Sequence, residues 1–141
     1  MIAYFDTSAI IPLIINEPSS DRCNRLWNDS SRVVSVRLLY PEARAALAKA
    51  ERMGRLSATQ RSTAVVELES IIAEVDQIEV TEALARRGGE LAQAYGLRGY
   101  DAVHLAAASA VADSDVVLVT GDSVLANAAN SIGIAVSITN T

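Results

Sequence analysis

Five short runs of apolar and β-branched residues recur along the chain, separated by stretches whose apolar positions return at helical spacing. The runs lie near 2–6 ("IAYFD"), 32–36 ("RVVSV"), 77–80 ("QIEV"), 116–120 ("VVLVT") and 134–138 ("IAVSI"), and each predicts a strand. Helices are predicted near 8–15, 19–28, 38–53, 58–76, 82–95, 101–112 and 123–131. Such alternation is the mark of crossover units, so the expected fold class is α/β, a central and mostly parallel sheet flanked by helices. In the segment 38–53, Ala43, Ala46, Leu47, Ala50 and Met53 share one helical face, and Gly54 is placed to end the helix. Ser57 followed by Gln60 reads as a capping box that opens the next helix. Residues 38–76 therefore form a helical hairpin between the second and third strands. Its apolar line of Val65, Leu68, Ile72 and Val75 reads as core, or in part as a partner surface.

Composition narrows the picture. With 141 residues, 50% of them hydrophobic, and no linker rich in Pro, Gly or Ser, the chain suits one compact domain over 1–141. Its single cysteine, Cys23, has no partner for an internal disulfide and reads as a small buried hydrophobe. No charged segment leading into an apolar one precedes "IAYF", so the cytoplasm is the expected compartment. Apolar stretches such as "AIIPLII" are far shorter than the roughly 20 residues of a spanning helix, so no membrane segment is expected.

A formal charge of -5 argues at first against a nucleic-acid partner. Setting four of the 17 acids aside in one metal cluster, however, leaves 13 against 12 Lys and Arg, a nearly neutral remainder. Bound cations then supply positive charge at the cluster itself. All but one of the basic residues are Arg, the better partner for phosphate oxygens, although genomic composition produces the same bias.

In open parallel sheets, ligands bind beyond the carboxyl ends of the strands. Asp6 ends the first strand, and Asp122 follows the fourth by two residues. Glu42 lies on the first turn of the helix after the second strand, and Asp101 opens the helix that returns to the fourth. All four belong at one rim. Asp113 and Asp115 precede the fourth strand and are expected roughly 20 Å away at the opposite edge, as solvated turn residues. Taken singly, Asp6, Asp101 and Asp122 also read as helix caps, and Glu42 beside Pro41 as a helix-start residue. Taken together, four anions on one rim repel one another and raise one another's pKa unless a cation neutralises them. Hard oxygen donors without Cys or a His pair suit Mg²⁺ or Mn²⁺ rather than zinc. Ions held there can activate a water and neutralise the leaving oxygen of a phosphodiester. Ser8 and Thr120 carry hydroxyls placed either to orient a carboxylate or to do no more than terminate a helix and a strand.

The segments "YFDTSAIIPLIINEPSSD", "LLYPEARAALAKA", "LRGYDAVHLAAA" and "VVLVTGDSVLANAANSIGIAV", in this order and spacing, resemble the PIN-domain family, and within it the VapC toxins of bacterial toxin–antitoxin pairs. The resemblance implies a PIN-like three-layer sandwich and an Mg²⁺- or Mn²⁺-dependent ribonuclease. It also implies an RNA substrate, a cognate antitoxin that occludes the site, and a homodimer. It assigns catalytic and metal-site roles to Asp6, Glu42, Asp101 and Asp122, and supporting roles to Ser8 and Thr120. One departure stands out: many relatives carry a Lys shortly after the first Asp, where this chain has Pro12. Phosphate binding then falls elsewhere, first to Arg98 and less to Arg37 and Arg44, each of which also reads as a salt-bridge partner. His104, one turn past Asp101, reads as a packed histidine or as a support for the site. Trp27 and Tyr40 read as core or as base-stacking aromatics. Competing readings are a phosphotransfer fold, an antitoxin-binding module with decayed catalysis, and a housekeeping RNA-processing nuclease. The first is disfavoured because the sole lysine, Lys49, lies mid-helix.

Overall fold

The computed structural model describes residues 1–112 and 115–140. Five strands, β1 (Ile2–Phe5), β2 (Arg32–Val36), β3 (Asp76–Ile78), β4 (Val116–Thr120) and β5 (Ala135–Ile138), form one sheet in the order β3-β2-β1-β4-β5. Every strand pairing is parallel, with Ile2 opposite both Arg32 and Val116. Each predicted strand is present, to within a residue or two at its ends.

Because both faces of a parallel sheet are covered, its central strand has to be apolar on both sides. Ala3, Tyr4 and Phe5 of β1 are fully buried and alternate between two separate cores. Tyr4, Val34 and Leu118 face α5 (Glu82–Tyr95), α6 (Gly99–Ala110) and α7 (Ser123–Ser131). Ala3, Phe5, Val33 and Val119 face α1 (Thr7–Ile10), α2 (Ser20–Asp29), α3 (Leu39–Arg52) and α4 (Ala58–Glu74). The result is the expected three-layer sandwich. Cys23 is buried in the second core, and the Trp27 ring meets Phe5 edge-on with centroids 5.7 Å apart, so both are packing residues. Among the described residues no helix is long and apolar enough to cross a membrane.

The helical hairpin is α3 and α4. The Ser57–Gln60 capping box forms reciprocally, with the Gln60 N–H donating to Ser57 Oγ at 3.0 Å and the Ser57 N–H to Gln60 Oε1 at 2.8 Å. Gly54, at φ +77°, provides the left-handed turn that closes α3. Of the apolar face predicted on α3, Ala43, Leu47 and Ala50 are buried, but Met53 is 67% exposed. It sits at the C-cap, where the chain is already leaving the helix, so helical spacing no longer points it inward. On α4, Leu68 and Val75 are buried, while Val65 and Ile72 pack at the margin.

Two helix starts and stops differ from expectation. The helix expected over 8–15 ends as an α-helix at Ile10 and continues as one 3-10 turn, Ile11–Leu13. Pro12 has no N–H to donate to the preceding turn, so the α-helical ladder cannot run through it. Helix α6 begins at Gly99, two residues earlier than expected, with Arg98 in the N-cap position. Asp101 is therefore a third-position residue inside the first turn rather than the cap.

Candidate metal centre at the carboxyl edge of the sheet

The strand order reverses between β1 and β4: after β1 the chain winds outward through β2 and β3, then returns to lay β4 on the other side. The helices following these two central strands depart onto opposite faces, α1 into one core and α7 into the other. A crevice opens between them at the carboxyl edge, where such folds place their ligands. Asp6, Thr7, Ser8, Glu42, Arg98, Asp101, His104, Gly121 and Asp122 line it.

Of the four acids Asp6 lies deepest, at 4% exposure. Its carboxylate is held by three donors: the Ser8 hydroxyl at 2.6 Å, the Thr120 hydroxyl at 2.7 Å and the Ala9 N–H at 3.3 Å. Burial raises the pKa of Asp6, while the charge of His104 and these hydrogen bonds pull against the rise. Both hydroxyls accept from the loop after β4, Ser8 from the Gly121 N–H at 2.8 Å and Thr120 from the Asp122 N–H at 3.0 Å. Ser8 and Thr120 thus tie the loops after β1 and β4 to one carboxylate. Thr120 does so from behind the cleft, fully buried. Gly121 packs closely here: a Cβ would press on Thr139 Oγ1 at 3.3 Å and touch Ser8 Oγ at 3.5 Å.

Glu42 reaches in from the first turn of α3. It accepts from the Thr7 hydroxyl at 2.9 Å and contacts His104 Nε2 at 2.7 Å. On its far side the imidazole meets the Tyr4 hydroxyl through Nδ1 at 2.8 Å. Burial pushes the Glu42 pKa up, but hydrogen bonding and charge from His104, the Thr7 hydroxyl and the Arg98 charge outweigh it, so the net shift is downward. An ionised Glu42 can only accept, which assigns a proton to His104 Nε2. Burial drives the Tyr4 pKa well up and keeps its hydroxyl protonated, and that hydroxyl closes the far side of the ring at Nδ1 in a contact where either atom can be the donor. His104 is therefore packed and satisfied, as one of its two readings holds, and it also positions Glu42. Thr7, the middle residue of "DTS", was not singled out in the sequence; a hydroxyl beside a strand-end acid was its only signal.

The other two acids line the mouth. Asp122 caps α7 through one oxygen, accepting from the N–H groups of Val124 at 2.9 Å and Leu125 at 3.2 Å. Asp101 accepts from Nε of Arg98 at 2.9 Å, and a terminal nitrogen of the same guanidinium stands 4.0 Å from Asp122. The neighbouring arginines point elsewhere. Arg37 is paired with Glu79, and Arg44 with the Tyr40 hydroxyl, which in turn donates to Glu69. Tyr40 is accordingly occupied away from the cleft.

Asp6, Glu42, Asp101 and Asp122 thus line one cleft, although among the described residues no three acidic, His or Cys side chains already surround a single point. The donor chemistry fits a hard divalent ion: carboxylate oxygens, one of them buried, with hydroxyls to orient them. Arg98 stands between two of these carboxylates at the mouth. Asp115, by contrast, is at the amino edge, where its carbonyl accepts from the Ile2 N–H at 3.0 Å and its carboxylate lies 3.8 Å from the chain's first amino group. Asp113 falls outside the described residues.

Residues 3–131 match the model of the PIN domain, and the chain belongs to that family. It is 39% identical over 132 residues to Ribonuclease VapC45 of Mycobacterium tuberculosis, covering 94% of this chain and 92% of that protein. The fold is similar to that of PAE2754 from Pyrobaculum aerophilum, with a TM-score of 0.70 at 22% identity, covering 99% of this chain and 85% of that one. It is also similar to a chain of a toxin–antitoxin complex from Klebsiella pneumoniae, with a TM-score of 0.59 at 19% identity, covering 85% and 86% of the two.

Proposed function

We propose that this protein is a divalent-metal-dependent endoribonuclease, the toxin of a toxin–antitoxin pair, whose cleft hydrolyses RNA phosphodiesters. The observation that carries the reading is the meeting of four carboxylates from separate parts of the chain in one crevice at the strand-order reversal. A relative named as a ribonuclease, alike over nearly the whole length, supports the same activity. A cognate antitoxin is the implied partner, in keeping with a chain of this fold found in a toxin–antitoxin complex.

Asp6, Glu42, Asp101 and Asp122 would hold the ion, Mg²⁺ or Mn²⁺ by the hardness of their oxygens. When bound, such an ion lowers the pKa of a water and neutralises charge on the phosphodiester. The chain's own residues prepare the cleft. Ser8 and Thr120 fix both oxygens of Asp6, while Thr7 and His104 fix Glu42 from two sides. The Ser8 and Thr7 hydroxyls are committed as donors to Asp6 and Glu42, so with an ion bound the attacking group would be water, its oxygen bonding to phosphorus and its proton departing as the P–O bond to the leaving ribose oxygen breaks.

Purified protein incubated with RNA in Mg²⁺ or Mn²⁺ tests the proposal, beside Asp101→Asn and a chelator control. Cleavage by the wild type, lost in both controls, is expected. Cleavage that persists in Asp101→Asn or survives EDTA overturns the mechanism.

A further inference from the structure

Arg98 is the one Arg or Lys among the residues described as lining the cleft, and its guanidinium is paired with Asp101 and stands 4.0 Å from Asp122. Two carboxylates facing each other across the mouth need a counter-charge, and without a metal the guanidinium supplies it. Its hold is nonetheless loose. The side chain is 84% exposed and makes one hydrogen bond, to Asp101. Its backbone is fixed as the N-cap of α6, so the arm can rotate away through solvent without disturbing the core.

Building on the metal-site reading above, we propose that Arg98 is an exchangeable internal counter-ion. A divalent ion arriving at Asp101 and Asp122 displaces the guanidinium, which then becomes the phosphate-binding arm at the mouth of the same cleft. The two states exclude each other, because ion and guanidinium compete for the same carboxylate oxygens. Phosphate recruitment falls to Arg98 because it alone of the basic residues is described as lining the cleft. Arg37 and Arg44 are engaged with Glu79 and Tyr40, and Lys49 lines a neighbouring hollow beside α3. Metal loading would thereby create the binding site for the RNA backbone, and the metal-free protein would bind RNA poorly.

Three measurements on the full chain test the exchange. In chelator-treated, ¹⁵N-labelled protein, the Arg98 Nε–H resonance, assigned by its loss in Arg98→Ala, is expected to lie away from the free-arginine position because of its hydrogen bond to Asp101. It should move to the position of a free arginine as Mg²⁺ saturates. Calorimetric titration with Mn²⁺ should show Arg98→Ala binding about 3- to 10-fold more tightly than the wild type. Binding of an uncleavable 2′-O-methyl oligonucleotide in Mg²⁺ should weaken about tenfold in the same variant. An Nε–H signal unmoved at saturating Mg²⁺, Mn²⁺ binding no tighter in Arg98→Ala, or unchanged oligonucleotide affinity each overturns the exchange while leaving the metal site standing. If the wild type binds neither Mg²⁺ nor Mn²⁺, the metal-site reading fails and the exchange falls with it.

Discussion

Nε2 of His104 stands 2.7 Å from Oε1 of Glu42, while the opposite ring nitrogen stands 2.8 Å from the Tyr4 hydroxyl. A buried imidazole thus runs from the central strand to the cleft and sets the angle of a carboxylate on a helix from the other layer. Replacing it by alanine takes the imidazole partner from the buried Tyr4 hydroxyl and leaves Glu42 held by Thr7 alone. His104→Ala is expected to cost about 2–4 kcal/mol in urea unfolding. Where the protein still folds, cleavage should fall about 10- to 100-fold, mainly in kcat, as for groups that orient a metal ligand.

The pKa shifts of Asp6 and Glu42 run in opposite directions, so their contributions to stability respond oppositely to pH. Burial raises the Asp6 pKa in the folded protein, which favours the neutral acid. Its stabilising contribution is therefore complete only below the unfolded carboxylate range and is lost as pH rises through the raised folded value. In chelator, Asp6→Asn should gain Tm relative to the wild type at pH 7 and lose that advantage near pH 4. For Glu42 the net shift is downward, burial being outweighed by His104, Thr7 and Arg98. Its contribution is present above the unfolded range and lost as pH falls through the lowered value, so Glu42→Gln should be destabilised at pH 7 and converge on the wild type in acid. Thermal unfolding across that range checks both signs.

Thr120 supports the site from behind, donating to Asp6 and accepting from the Asp122 N–H. Thr120→Val keeps the shape and removes the hydroxyl. One oxygen of a buried carboxylate loses its donor and one N–H loses its acceptor, for an expected cost of about 1–3 kcal/mol. With a lowering hydrogen bond gone, the Asp6 pKa rises further. Metal titrations should then show Mn²⁺ affinity beginning to fall at a higher pH than in the wild type.

Asp115 provides the control for placement. It lies at the amino edge, across the sheet from the cleft. Asp115→Asn should leave cleavage unchanged and shift stability by no more than about 0.5 kcal/mol. Loss of cleavage in a variant with an intact fold would put an essential carboxylate at the wrong end of the strands.

Much of this architecture was legible in the sequence, for reasons that differ by element. The strands announced themselves because a parallel sheet covered on both faces demands unbroken apolar runs such as "VVLVT". The four acids were placed together by topology, since each lies just beyond a strand end or at a helix start on the same edge. What topology could not give was the finer arrangement. Asp101 looks like a cap in one dimension, but the helix starts two residues earlier and Arg98 takes that position. The role of His104 depends on Tyr4 and Glu42, residues 100 and 62 positions away, and no local pattern encodes such a meeting. Pro12 was visible, yet its effect on the predicted helix was underestimated: one missing N–H converts a longer α-helix into a single α-turn and a 3-10 turn.

The pairing of β1 with β4 also bears on the chain's synthesis. Asp6 directly follows β1, but the neighbour of β1 on one side begins at Val116. A ribosome must therefore have released the chain through Asp122 before the crevice can close around its acids. Fragments cut short before that point lack Asp122 and contain no assembled centre. The centre, with the chemistry proposed for it, is complete only once β4 and the residues through Asp122 have been made.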